Sequence, residues 1–206
     1  VRPPVLLLLA VFLVGTALVS GAVSTAAPAK KLRVTMIGDS VAASIDYSPD
    51  ARAVLGRGTA LRLDLRVCRR LVQLSCSYQG QRPSTALEAV RTYGRTLGNV
   101  LVVNVGYNES AQGYREGIDA VMRAALTNGV RTVVWVTLTE QRDIYRWTNI
   151  AIRSAAKRWQ QLRVADWARE SRGKPWFGSD GLHLTAEGAV ALARFVRENV
   201  SEAASP

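Results

Sequence analysis

The apolar residues of this chain follow two alternating rhythms. "LRVTMIG" (32–38) is a short apolar run with β-branched residues, the pattern of a buried strand. "NVLVVNVG" (99–106) and "RTVVWVTL" (131–138) are near-continuous apolar runs, as expected of central parallel strands covered on both faces. "LRLDLRV" (61–67) alternates apolar with charged residues, which predicts a strand nearer the sheet edge, and "LRVADW" (162–167) predicts a shorter fifth. Helical patterns lie between and after them. "PSTALEAVRTYGRTL" (83–97) opens with Pro83 and Ser84, both helix-start residues. "YREGIDAVMRAALTNG" (114–129) puts Ile118, Val121, Met122 and Leu126 on one face and stops at Asn-Gly. "IYRWTNIAIRSAAKRWQQ" (144–161) is amphipathic, and "TAEGAVALARFVREN" (185–199) begins with Thr185 and Glu187. Strand then helix, repeated along the chain, predicts an α/β fold: a parallel sheet with helices on both faces. The Pro/Gly-rich "RGKPWFGSDG" (172–181) reads as a loop within one domain.

The first residues break this pattern. Val5 to Val23 is apolar and uncharged, Arg2 precedes it, and small residues follow. That is the layout of a secretory signal, with Ser24-Thr25-Ala26 fitting a cleavage site before Ala27. The alternative is an uncleaved anchor, because about nineteen apolar residues can just span a bilayer. The expected organisation is a signal peptide or anchor over 1–26 and a single domain over 27–206. The protein is then secreted or held at the cell surface. Two cysteines, Cys68 and Cys76, are close in sequence. In an oxidising compartment they can close a small disulfide loop; the other reading is a pair of reduced, buried thiols. A zinc site needs more ligands than a chain with one histidine supplies.

Net charge is +11, and removing 1–26 takes away only Arg2, leaving +10. Such charge attracts anionic partners: a cell-wall polymer or a lipid surface. The basic residues are scattered singly or in pairs, without zinc-finger spacing, an aromatic RNA-binding box or a basic helix, so nucleic acid is not the expected partner. No G-x-x-x-x-G-K-[ST] loop is present.

Ligands of open parallel sheets bind beyond the carboxyl ends of the strands. Gly38-Asp39-Ser40 lies at one such end, Gly106-Tyr107-Asn108 at another, and Asp180-Gly181-Leu182-His183 in the loop after the fifth strand. A serine hydroxyl needs a base to take its proton. His183 is the only histidine, so a Ser–His mechanism at Ser40 must use it. Asp180 can orient the ring and stabilise imidazolium. The Ser40 N–H, a Gly80 N–H and the Asn108 amide can together form an oxyanion hole. Gly80 follows the second strand and precedes the Pro83 helix; Gly56 and Gly58 precede that strand and are disfavoured by geometry.

On "GDSV" (38–41), a block-two glycine at Gly80, "GYN" (106–108) and "DGLH" (180–183), the chain resembles the SGNH, or GDSL-type, hydrolases from Leu32 to Val200. Val41 stands where leucine is usual. The resemblance implies a flavodoxin-like three-layer α/β/α sandwich with a central parallel sheet of five strands. It also implies ester hydrolysis through an acyl-serine, with no metal or cofactor. Ser40 is then the nucleophile, His183 the base and Asp180 its partner; Ser40, Gly80 and Asn108 form the hole. The expected substrate is a small-molecule or glycan ester carrying a short acyl or O-acetyl group. O-acyl transfer to cell-wall sugars uses the same triad, and a non-catalytic cell-wall-binding domain is the reading from another class. Trp176 and Phe177 are candidates to line an acyl or sugar pocket. The sequence carries no sign of oligomeric state.

Overall fold

The structure, a computed structural model, describes residues 1, 31–110 and 112–204. The expected signal peptide or anchor lies outside the described residues, apart from Val1. Among the described residues no helix is long and apolar enough to cross a membrane.

Five strands form one parallel sheet: β1 (Leu32–Gly38), β2 (Thr59–Leu65), β3 (Val100–Asn104), β4 (Thr132–Val136) and β5 (Leu162–Ala165), in the order β2-β1-β3-β4-β5. The helices are α1 (Ser40–Ala43), α2 (Pro49–Gly56), α3 (Ala86–Tyr93), α4 (Tyr114–Thr127), α5 (Asp143–Ala156), α6 (Trp167–Glu170) and α7 (Ala186–Ala204). The result is a three-layer α/β/α sandwich.

Successive side chains of a strand point to opposite faces, and both faces here are apolar. Ile37, Leu101, Val103, Val133 and Trp135 face α3, α4 and α5. Val34, Met36, Val102, Val134 and Val136 face α2 and α7. Right-handed crossovers dictate which helix covers which face. The chain moves from β1 outward to β2 through α1 and α2. It then reverses, passing β1 to reach β3, β4 and β5, and its crossover helices change face. The reversal leaves a crevice outside the carboxyl ends of β1 and β3, where such sheets bind ligands.

Three elements differ from the sequence expectation. β2 runs over 59–65 rather than 61–67, because Thr59 pairs with Leu32 and the chain turns at Val67-Cys68. It is an edge strand, as its alternation implies. The helix expected from Pro83 starts at Ala86. Thr85 caps it: its Oγ1 accepts from the Glu88 N–H at 3.1 Å, and the Glu88 carboxylate accepts from the Thr85 N–H at 2.8 Å, a reciprocal capping box. Past Gly94 the same stretch tightens into a 3-10 turn, Gly94–Leu97. The third difference is α2, which opens on a Ser48 cap and Pro49.

Candidate active site

Ser40 leaves β1 at the crevice because Gly38 lets the chain turn tightly there. A Cβ on Gly38 would stand 2.3 Å from the Ala42 Cβ and 2.8 Å from Leu65 Cδ2. Asp39, fully buried, fixes the turn. One carboxylate oxygen accepts from the Val41 N–H at 3.1 Å, and the other accepts from the Gly106 and Tyr107 N–H groups at 3.0 Å each. It thereby ties the end of β1 to the loop after β3. Burial pushes this carboxyl up to about 6, against the pull of its three backbone donors.

Asp180 and His183 come from the loop before α7. That loop is a narrow return: Phe177 pairs with Leu184, and the Thr185 N–H donates to the Trp176 carbonyl at 2.9 Å. At its tip Gly181 takes a left-handed φ of 64°. Asp180 Oδ1 accepts from the Leu182 and His183 N–H groups at 2.9 and 3.0 Å, while Oδ2 meets His183 Nδ1 at 2.6 Å. The His183 bond, with the backbone donors behind it, draws the Asp180 carboxyl down to about 2. The other ring nitrogen, Nε2, lies 3.1 Å from Ser40 Oγ. With Nδ1 protonated toward the carboxylate, Nε2 carries a lone pair toward the hydroxyl, the geometry of an activated nucleophile.

Asn108 reaches the same rim. Its side-chain amide donates to the Arg69 carbonyl at 3.2 Å, and its backbone carbonyl accepts from Arg70 Nε at 2.7 Å. An amide NH₂ has two hydrogens, so this bond leaves one to donate elsewhere. The Ser40 N–H has no partner among the described residues.

Gly80, expected to donate to the hole, sits at the tip of an exposed turn between Tyr78 and Gln81, with φ 74° and open space around it. What adjoins Asn108 is the segment Cys68–Arg70. There the Arg69 N–H closes a turn onto the Arg66 carbonyl at 3.2 Å, and Cys68, the turn's third residue, has φ 69°. That is a position where glycine is usual. Cys68 is joined to Cys76 by a disulfide.

Several supporting residues carry no sequence signal. Arg69, 1% exposed, points inward and grips both oxygens of Asp64 at 3.1 Å and the Ser84 carbonyl at 2.9 Å. Breaking such a buried pair costs about 3–5 kcal/mol. The Glu109 carboxylate accepts from the Leu71 N–H, and burial pushes it up to about 7. Trp176 is half-buried, stacks on Trp167 at 5.4 Å and borders a cleft of about 530 Å³ with Lys174 and Phe195. Phe177 borders a separate polar cleft with Thr139 and Glu140. Among the described residues no cluster of three or more His, Cys, Asp or Glu is placed to hold a metal ion.

No protein-family model matches the chain, and no curated protein matches it. Solved structures do. The catalytic domain of a Streptococcus pneumoniae peptidoglycan O-acetyltransferase superposes with a TM-score of 0.58 at 20% identity, over 84% of this chain and 93% of that one. A Sinorhizobium meliloti carbohydrate acetylesterase family member gives 0.63 at 14% identity, over 84% and 98%. A Pseudoalteromonas esterase gives 0.60 at 10% identity, over 82% and 97%. At these identities the likeness is one of fold: the chain is distantly similar in structure to α/β enzymes of the esterase and acetyltransferase type.

Proposed function

We propose that the chain is an exported serine ester hydrolase of the SGNH type, a single domain over 27–206, acting on short acyl or O-acetyl esters. The observation that carries this reading is the 3.1 Å approach of Ser40 Oγ to His183 Nε2, with Asp180 at 2.6 Å behind the ring. Ser40 Oγ bonds to the ester carbonyl carbon while its proton passes to Nε2. Asp180 steadies the imidazolium. The carbonyl oxygen, now negative, is held by the Ser40 N–H and the second hydrogen of the Asn108 amide. We assign the third donor to the Cys68 N–H of the glycine-like turn in place of Gly80, since the Arg69 N–H closes that turn and the Arg70 N–H donates to Ser75 Oγ at 3.2 Å. The tetrahedral adduct collapses, and the alcohol leaves with the proton from Nε2. Water then attacks the acyl carbon, giving a proton to the same nitrogen, and acid and free Ser40 are released. The apolar segment 5–23 and the Cys68–Cys76 bond support export.

Acyl transfer is the second reading. His183 and Asp180 are 51% and 50% exposed at their side chains, so a sugar hydroxyl has room to take the place of water. The shared fold with a peptidoglycan O-acetyltransferase favours testing it. A fluorophosphonate probe should label wild type and not Ser40→Ala. An ester panel should show turnover that Ser40→Ala loses, and added polyols should divert product from free acid only if transfer operates. No labelling of folded wild type overturns the reading.

A further inference from the structure

Beside the candidate active site lies a cleft of about 640 Å³, within the roughly 300–1,000 Å³ of ligand pockets. Two tyrosines border it with their rings largely in water: Tyr47, 77% exposed, and Tyr78, 50% exposed. Tyr47 comes from the turn after α1, and Tyr78 from the turn beyond the disulfide. The Gln79 amide donates to the Tyr78 hydroxyl at 3.4 Å, and Gln81 pairs with Tyr78 through the backbone and borders the same cleft.

The charge of the cleft is unbalanced. Arg66, Arg69 and Arg82 line it, against the single carboxylate of Asp64. Asp64 is already engaged by Arg69 on both oxygens and by Arg66 at 3.0 Å. Arg82 is exposed and has no partner among the described residues.

The cleft and the nucleophile share a wall. The Arg66 N–H donates to the Gly38 carbonyl at 3.0 Å, and Leu65 packs on Gly38, two residues from Ser40. Arg69 belongs to both: it borders the cleft with its guanidinium turned in to Asp64 and Ser84, and its carbonyl accepts from Asn108.

We propose that this cleft binds an anionic glycan, an oligosaccharide bearing carboxylate groups, and presents one of its O-acyl groups to Ser40. Exposed tyrosine rings offer apolar faces to the C–H faces of sugars and a hydroxyl to their rims. Glutamine amides donate to and accept from sugar hydroxyls. A free arginine fork matches a carboxylate. The substrate class rests on the esterase reading above; binding does not.

The experiment measures binding and turnover separately. De-esterified oligogalacturonate and neutral xylo-oligosaccharide are each titrated calorimetrically into the wild-type protein, Arg82→Glu and Tyr78→Ala, at low and at physiological salt. Acetylated oligogalacturonate, neutral acetylated xylo-oligosaccharide and p-nitrophenyl acetate are compared as substrates. Wild type should bind oligogalacturonate with an affinity that falls with salt. Arg82→Glu should weaken it about tenfold and lower kcat/KM on the acetylated anionic glycan in proportion, with p-nitrophenyl acetate turnover unchanged. Tyr78→Ala should weaken binding of both glycans. Saturable binding without turnover of any ester retains the cleft and removes the esterase reading. Absence of binding by wild type, equal affinity for the neutral glycan, or an Arg82→Glu variant that binds oligogalacturonate as wild type does overturns the proposal.

Discussion

The side-chain amide of Asn108 donates to the backbone carbonyl of Arg69 across 3.2 Å. This bond links the loop after β3 to the segment that the Cys68–Cys76 disulfide closes. The Arg70 side chain returns a bond to the Asn108 carbonyl at 2.7 Å. Asn108 is therefore held from both ends by a loop whose shape depends on one covalent bond. Replacing both cysteines by serine should lower kcat at least severalfold with fluorophosphonate labelling of Ser40 retained. It should also cost about 2–3 kcal/mol of stability, the scale for a loop this short. Wild-type kcat in the double variant, measured on p-nitrophenyl acetate, would remove the disulfide from any positioning role.

Asn108 itself is expected to act on the transition state. Asn108→Ala should lower kcat by about 10²–10³-fold and leave KM nearly unchanged. Gly80→Ala is the contrasting variant. Its φ of 74° makes a side chain unfavourable, but nothing lies within 4 Å of the added Cβ. A stability loss of about 1 kcal/mol with kcat within about threefold of wild type is the expected result. A Gly80→Ala defect as deep as that of Asn108→Ala would return Gly80 to the hole.

Much of this rim is readable from residue order. Chain reversal in a parallel sheet gathers the strand ends; GDS and GYN each fall at an end, and DGLH lies beyond α6 in the loop before α7. The remainder is decided by contacts that pattern does not carry. A search for a block-two glycine stops at Gly80, yet the left-handed backbone beside Asn108 belongs to Cys68. Arg69 is one of the scattered basic residues by sequence, yet it is buried on Asp64 because tertiary structure supplies a carboxylate and two carbonyls there. α2 had a local signal in Ser48-Pro49-Asp50; its short, weakly amphipathic run hid it. The edge strand β2 shifts by two residues because alternation defines its face and not its ends.

Gly188 tests how the base is held. A Cβ there would fall 2.1 Å from the Trp176 carbonyl oxygen, the atom that accepts from Thr185 at the base of the Asp180–His183 return. Gly188→Ala should cost about 1–3 kcal/mol through overpacking and reduce kcat, because the return moves as a unit. Gly178→Ala meets only ordinary contacts at 3.5 Å or beyond and should change both little. Thermal melts and kcat on p-nitrophenyl acetate separate the two; equal behaviour contradicts the anchoring argument.

Stability should carry a separate signature from Asp39. Its folded carboxyl is pushed up to about 6 from an ordinary 3.8. Between these values the folded state binds the proton more tightly than the unfolded chain, so this group's contribution is fully present below about pH 4 and is lost as pH rises through about 6. A shift of about two units corresponds to about 3 kcal/mol. Asp180 runs the other way: its lowered carboxyl stabilises above about pH 4, and that contribution is lost as pH falls through about 2. Between pH 4 and 6 the Asp39 slope stands alone of the two. Urea unfolding of wild type and Asp39→Asn at half-unit steps across that window should therefore show the wild type losing stability with rising pH relative to the variant. The amide removes the titration but turns its NH₂ toward the Val41 N–H or toward the Gly106 and Tyr107 pair, so Asp39→Asn should be the less stable protein at pH 4 and the gap should narrow by pH 6. Parallel curves would mean that the three backbone donors outweigh burial and that Asp39 is ionised throughout.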